Sequence, residues 1–291
     1  MSRAVRKVQK LIWHIARHGL RCTVSLLLIG FVTTCLVRLA PGFGSDEREL
    51  DPRFSGVAAV QESASNPALT YLNFLRDAAR GNFGFSESLN RPVRELFVQR
   101  YSISLEILAL GLTAGWLAAL SLASLGSILS IRVPSITGRT VGAVVLCIPS
   151  ALLAYLCYLA RAPAFLIVAL VVFSRVFCAI DNLFRIASHA SYTTAAKACG
   201  VSGIRIFGRH VLSSTWSELV ALAGASVAIA AGATIAAEAL CDRPGIGQLA
   251  WKAALSRDLP LLVSITFVIA SITIFCNRGA DAIIRLRSAA A

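Results

Sequence analysis

Basic side chains without an acidic neighbour mark the stretch from Ser191 to Leu212, here termed the basic segment. Its cations are Lys197, Arg205, Arg209 and His210. Groups of this kind can bind anions or dock onto a partner. Helix formers run from Thr193 to Cys199, glycines follow at Gly200 and Gly203, and a second amphipathic run then begins, which predicts helix, sharp turn and helix. A short connection would suffice between two apolar runs, so this pattern favours a docking surface; a solvated basic loop is the alternative that charge alone allows.

Two strings resemble nucleotide-binding motifs only in their glycine spacing. Gly203–His210, GIRIFGRH, lacks the Lys and the Ser or Thr that hold phosphate and magnesium. Gly245–Ala250, GIGQLA, fits a dinucleotide fingerprint, but no strand is predicted before it. We therefore expect no nucleotide site in this chain.

Catalytic and metal-binding constellations are not evident either. No Ser-His-Asp set and no group of metal ligands can be assembled from neighbouring positions. The 8 cysteines include no C-x-x-C pair, and most lie in apolar runs, where Cys behaves as a small hydrophobe. The sequence thus predicts a protein that is not an enzyme and that has no catalytic, cofactor or metal site; a membrane-embedded enzyme is the alternative that no constellation supports.

Composition places the chain in the membrane. Hydrophobic residues make up 56% of it and charged residues only 15%, which predicts an integral membrane protein. The net charge of +13 could suggest a nucleic-acid partner, but Arg and Lys are concentrated between the apolar runs, as membrane topology requires. We therefore expect a lipid bilayer and no nucleic acid as partner.

The N-terminal part divides by charge. Residues 1–21 are basic and contain no acid, which predicts a cytoplasmic segment, and residues 22–40 form an apolar run long enough for a first transmembrane helix. A signal peptide is the competing interpretation, but the run is long for one and lacks a clear cleavage site. Residues 41–100 carry nearly balanced charges and are predicted to be external, while residues 101–291 form the transmembrane core.

Five further apolar runs in the core predict an all-α, polytopic protein with six spans and both termini in the cytoplasm. The predicted spans are approximately 102–129, 140–159, 164–180, 217–237 and 261–275. Arg132 to Arg139 is expected to be a short inside loop, and Pro149 to kink the third span. Gly111 and Gly115 are spaced to let a neighbouring helix approach closely.

Arg175 is the main charged group predicted within a span. It lies six residues before Asp181, so on a helix the two side chains do not share a face and an ion pair between them is not expected. At its depth the guanidinium needs a carboxylate, a carbonyl or water, in a structural or a substrate-contacting role. Glu106 lies nearer a predicted membrane–water interface, where hydration of its carboxylate is the simpler expectation.

The basic segment resembles the cytoplasmic coupling loop of ABC-importer permeases, in the dipeptide, oligopeptide and nickel branch. The resemblance is carried by Tyr192, Ala195, Ala196, Ala198, Gly200, Ser202, Arg205, Arg209, His210 and Leu212. Ser191 stands where that family usually has Asp, and Cys199 where it usually has Lys. The resemblance implies that residues 184–214 form a coupling loop, and that Tyr192, Ala195, Ala196, Gly200, Arg205, Arg209 and His210 couple it to a separate ATPase subunit.

A second stretch resembles the outer re-entrant segment of the same family. The matching residues of this segment, residues 238–260, are Glu238, Pro244, Gly245, Gly247, Arg257 and Asp258. Weaker similarities occur at Arg80–Ser86 and Arg91–Val93, with Asn82 in place of the usual Asp. Within the core, residues 131–185 show little similarity to the family.

Together these similarities imply a type I ABC importer permease fold in the cell inner membrane. The expected partners are a second, homologous permease subunit, two ATPase subunits and an external solute-binding protein. Peptides, nickel chelates and other small solutes are all open as the cargo. A secondary transporter or a channel-like protein working without an ATPase is the alternative, although the internal repeats expected of the former are not evident.

Overall fold

The computed structural model describes residues 23–36, 67–78, 80–86, 88–129 and 132–290, and these are almost entirely helical. In chain order the helices are α1 (Thr23–Leu36), α2 (Pro67–Ala78), α3 (Val93–Leu129), α4 (Arg132–Cys147), α5 (Ser150–Leu159), α6 (Ala164–Ser188), α7 (Ser191–Ala198), α8 (Gly203–Ile206), α9 (Leu212–Ser214), α10 (Trp216–Leu240), α11 (Ile246–Leu255) and α12 (Leu259–Ala290). A π-helical turn, Phe207–Val211, joins α8 to α9. Strands β1 (Phe85–Ser86) and β2 (Arg91–Pro92) pair antiparallel in a small hairpin.

Four helices of the described part are long and apolar enough to cross a membrane, namely α3, α6, α10 and α12. The count becomes five if α4 and α5 together form one bent span. α1 is apolar but shorter. The all-α, polytopic class is confirmed, and a sixth span remains a prediction.

Pro149 breaks the predicted third span. α4 ends at Cys147 and α5 begins at Ser150, with an angle of 101° between the two helices. Proline lacks the N–H needed for a helical hydrogen bond and disfavours helical geometry at Ile148 before it. Its own φ of −55° and ψ of 138° are extended, and its carbonyl accepts the N–H of Leu153 at 3.0 Å to start α5. The chain therefore turns sharply where the sequence predicted only a kink.

α4 replaces the short inside loop that the sequence predicted before the break. Arg132, Pro134 and Arg139 lie in this helix, so the prediction of a loop there is wrong. The guanidinium of Arg139 donates from Nε to Asp181 at 2.6 Å, which ties α4 to α6. This pairing compensates a carboxylate that is only 7% exposed.

The described residues divide into two compact units, one within residues 1–98 and 252–274 and the other within residues 99–251 and 275–291. In the second unit α6 is the central helix. One face of α6 is fully buried, through Ile167, Val168, Val172, Val176, Phe177 and Ile180. α3 approaches it closely, because a Cβ atom at Gly111 would lie 2.5 Å from that of Val168 and one at Gly115 would lie 2.8 Å from the carbonyl of Ala169. The small residues at this spacing allow the contact, as the sequence predicted.

The described part of the first unit is built around Tyr71 of α2, which is 5% exposed. Its ring stacks on Phe74 and meets Phe31 of α1 edge-on, with centroids 6.4 and 6.0 Å away. Phe74 in turn packs edge-on against Phe267 of α12. Burial raises the pKa of the Tyr71 hydroxyl, so this side chain is neutral and acts as a core aromatic.

Candidate functional site

Buried side chains fasten the basic segment to the end of α6. Thr193 is fully buried, and its hydroxyl donates to the carbonyl of Ala187 at 2.8 Å. The Phe207 ring lies edge-on to Phe184 of α6, with centroids 5.2 Å apart. Ile206 is also buried. Because each half of the segment has its own anchor, the segment is a folded surface continuous with a membrane helix.

Gly200 makes the turn between the two halves. Its N–H donates to the carbonyl of Lys197 at 3.0 Å, and the N–H of Val201 donates to the carbonyl of Ala196 at 3.2 Å. This pair of bonds is a Schellman motif, which ends a helix through a residue in the left-handed conformation. Gly200 has φ +75°, a geometry that glycine adopts without a steric penalty. The sequence predicted this turn from a glycine that follows a run of helix formers.

Replacing Gly200 with valine is expected to distort the basic segment without unfolding the protein. No atom lies within 4 Å of an added Cβ, so the penalty is conformational and amounts to about 1–2 kcal/mol for a β-branched residue at positive φ. Limited trypsin digestion should then cut faster at Lys197. Gly200→Asn is the matched control, since Asn tolerates this conformation. Equal cleavage rates for the two variants would contradict the role of the turn.

The π-helical turn Phe207–Val211 carries Arg209 and His210. A π turn accommodates an extra residue and changes which side chains face outward. The centroid of the His210 ring lies 6.2 Å from that of the Tyr192 ring, so residues from the two halves of the segment are neighbours. The sequence showed the amphipathic run there but gave no sign of its π geometry.

The outward surface of the basic segment combines cations with exposed apolar groups. Ile204 is 73% exposed and Tyr192 is 45% exposed. The exposed residues around them include Ala195, Lys197, Gly200, Arg205 and Arg209, while Ala196 and His210 are half-buried. An exposed aliphatic and an exposed aromatic side chain among arginines are typical of a protein contact surface. The residues of the coupling resemblance therefore lie together on one folded segment.

In the first half of residues 238–260, Glu238 caps the start of α11. This carboxylate is fully buried, and its Oε2 accepts the N–H of Gly247 at 2.7 Å and that of Gln248 at 3.4 Å. A Cβ at Gly245 would collide with the carboxylate, and one at Gly247 would lie 2.6 Å from the Cα of Ile235. Pro244 is exposed in the turn before them. The glycines are thus required by close packing around a buried acid.

The other end of these residues contains a second buried acid, Asp258, which is 2% exposed. Its Oδ1 accepts the N–H of Leu261 at 3.1 Å and caps α12. Its Oδ2 accepts the Ser86 hydroxyl at 2.6 Å and the Ser88 hydroxyl and N–H at 2.8 and 3.1 Å. Arg257 has an exposed side chain and a φ of +55° in the turn that ends α11. Asp258 therefore joins two stretches that the sequence presented as separate.

Arg175 lines a cavity of about 340 Å³ within the second unit. The cavity lies where α4 breaks at Pro149, with α6 and α10 forming its other walls. Its lining includes Val145, Leu146, Pro149, Ser150, Ser174, Arg175, Gly232 and Ala233. Sequence reasoning identified Arg175, but it missed the cavity because the helix break that opens it was expected to be a kink. Glu106 is exposed on α3 and does not line this cavity.

In the described part of the chain, no group of three or more His, Cys, Asp or Glu side chains is arranged to hold a metal ion. The Glu238 and Asp258 carboxylates are instead engaged by backbone and hydroxyl donors.

Comparison with known proteins gives a family match over most of the chain. Residues 111–288 match the model of a family described as binding-protein-dependent transport system inner membrane component. The chain is 27% identical to the oligopeptide transport system permease protein OppB of Haemophilus influenzae, over 84% of this chain and 88% of that protein. It is 27% identical to OppB of Escherichia coli, over 89% and 92%. For OppB of Salmonella typhimurium the identity is 26%, over 89% and 92%.

Proposed function

Because this chain belongs to the family of binding-protein-dependent transport system inner membrane components, we propose that it forms part of the membrane path through which an ATP-driven importer takes up peptides. It is a membrane-spanning permease subunit of an ABC importer and not an enzyme, since ATP hydrolysis in such importers occurs in separate subunits. Peptides are the proposed cargo because three relatives matched over most of their length are oligopeptide permeases.

The proposed assembly contains a second, homologous permease subunit, two ATPase subunits and an external solute-binding protein. The ATPase contact is assigned to the basic segment, residues 191–212. The observation that carries this assignment is its construction: buried Thr193 and half-buried Phe207 fix it to α6, while Ile204 and the arginines are exposed. A solvated linker would need no such anchors.

The proposed orientation follows from that contact. ATPase subunits work in the cytoplasm, so the basic segment and both termini would lie there. Residues 41–100 and 238–260 would then lie outside, where the capped turns at Glu238 and Asp258 give the external face a fixed backbone. The positive net charge of residues 1–21 agrees with this orientation.

In the proposed mechanism, ATP-driven closure of the ATPase subunits displaces the basic segment. Its anchors transmit the displacement to α6, an unbroken helix from Ala164 to Ser188. Movement of α6 against α4 and α10 would then switch the path between an outward and an inward opening. Each state is favoured by a different ligand, the loaded binding protein or the nucleotide.

Reconstitution of the intact complex tests this function. The complex is purified from its own membranes through a tag on this chain, placed in proteoliposomes, and supplied with its binding protein and a radiolabelled tripeptide. We expect accumulation of the tripeptide only when ATP is present on the side of the ATPase subunits. Equal accumulation by this chain alone, or uptake insensitive to ATP, would refute the proposal.

A further inference from the structure

We propose that Arg175 pairs with a carboxylate of the transported peptide inside the cavity that it lines. This inference rests on the proposed function and adds a point of solute recognition within the membrane path.

The first argument is the position of the charge. Arg175 lies beside the midpoint of α6, a helix of 25 residues, and its side chain is exposed in this chain. A guanidinium at that depth is unfavourable against lipid. The described part of the chain offers it no carboxylate within ion-pair distance. Asp181 lies about 9 Å farther along the helix axis and pairs with Arg139. Its charge is therefore compensated by water or by a group from outside the described part of the chain, and a solute carboxylate is such a group.

The second argument is the cavity. Its volume of about 340 Å³ is within the usual range for small-molecule sites. Ser150 adds a hydroxyl group to its lining and opens α5 directly after the break at Pro149. The Ser174 hydroxyl is buried and donates to the carbonyl of Val171 at 2.9 Å. On the opposite wall, Gly232 of α10 leaves the space empty, since no atom lies within 4 Å of a Cβ added there. Arg175 thus adds a charge to a largely apolar space in which part of a peptide can fit.

The third argument is the chemistry of the ligand. Arginine is always ionised, and its planar fork matches a carboxylate in two parallel hydrogen bonds. Every peptide with a free C-terminus presents that group, whatever its side chains. A permease that accepts peptides of varied sequence can therefore recognise the terminal carboxylate without reading the sequence. The competing partner is a carboxylate of the second permease subunit, which would give Arg175 a structural role only.

The test compares Arg175→Gln with wild type in the reconstituted complex, using one tripeptide as the free acid and as the C-terminal amide. After correction for the affinity of the binding protein for each, we expect wild type to import the acid about tenfold faster than the amide. In Arg175→Gln the ratio should fall to about one, and Arg175→Lys should retain only part of it, because lysine keeps the charge but lacks the planar fork. An equal loss for both peptides, or an unchanged ratio, overturns the proposal. Absence of peptide uptake by wild type would instead overturn the proposed function.

A second pair of variants tests the cavity without changing any charge. Gly232→Val narrows the cavity, and Gly279→Val in α12 is its matched control, because neither added Cβ has an atom within 4 Å. We expect Gly232→Val to lower the maximal uptake of both peptides about tenfold or more, and Gly279→Val to leave it near the wild-type rate. Wild-type uptake by Gly232→Val would exclude the cavity from the path and overturn the proposal, even if Arg175→Gln failed to assemble.

Discussion

Replacing Ile204 with glutamate is expected to lower ATP-driven uptake at least about tenfold while the protein remains in the membrane. Ile204 is 73% exposed on the basic segment, so its own fold does not depend on the side chain. If it inserts into a pocket of the ATPase subunit, a carboxylate there is desolvated without a partner, and central contacts of this kind typically contribute about 2 kcal/mol or more. Uptake in proteoliposomes and co-purification of the ATPase subunits measure the effect.

Leu286→Glu in α12 is the matched control. Leu286 is 72% exposed and receives the same carboxylate, but it lies outside the basic segment. We expect this variant to retain the ATPase subunits and to transport at nearly the wild-type rate. Retention of both properties by Ile204→Glu would show that the basic segment is not the docking surface.

Asp258→Ala is expected to be the most destabilising single change among the residues of the family resemblance. Removal of this buried carboxylate leaves the N-terminus of α12 uncapped and the Ser86 hydroxyl and Ser88 N–H without their acceptor. A lost cap and an unsatisfied buried donor together cost about 3 kcal/mol. The midpoint of heat-induced loss of the monodisperse peak in detergent should fall by roughly 6–12 °C.

Arg257→Ala provides the comparison for that measurement. The neighbouring side chain is exposed, and alanine keeps a Cβ at the same positive φ, so the backbone penalty is unchanged. We expect its midpoint to stay within a few degrees of wild type. Equal midpoints for Asp258→Ala and wild type would contradict the structural role of the carboxylate.

Local features of this protein could be predicted from the sequence because they depend on few residues. Gly200 after a run of helix formers sufficed for the turn, and the spacing of Gly111 and Gly115 sufficed for a close helix contact. The apolar composition likewise sufficed to predict an integral membrane protein. In each case the deciding residues are neighbours in the chain, and periodicity or backbone preference describes them directly.

Other features depend on residues far apart in the chain. The hydrogen bond from Ser86 to Asp258 joins residues separated by 172 positions, and no local pattern signals it. Whether Pro149 bends a helix or ends it depends on which hydrogen-bond partners the neighbouring helices offer to the backbone groups that the proline leaves unpaired. Arg139 was predicted to lie in a loop, because its ion-pair partner, Asp181, belongs to another helix and is 42 positions away in the sequence. The cavity beside Arg175 follows from such contacts and was missed with them.

The unbroken length of α6 has a thermodynamic consequence. One rigid rod carries Arg175 near its centre and the anchor of Thr193 at Ala187, about 18 Å away along the axis. If ATP changes how tightly Arg175 holds its solute, linkage requires that the solute change the affinity for ATP by the same factor. The transported solute would then act as an effector of the ATPase subunits. A solute whose carboxylate pairs with Arg175 would change their affinity for ATP while it is bound within the membrane path.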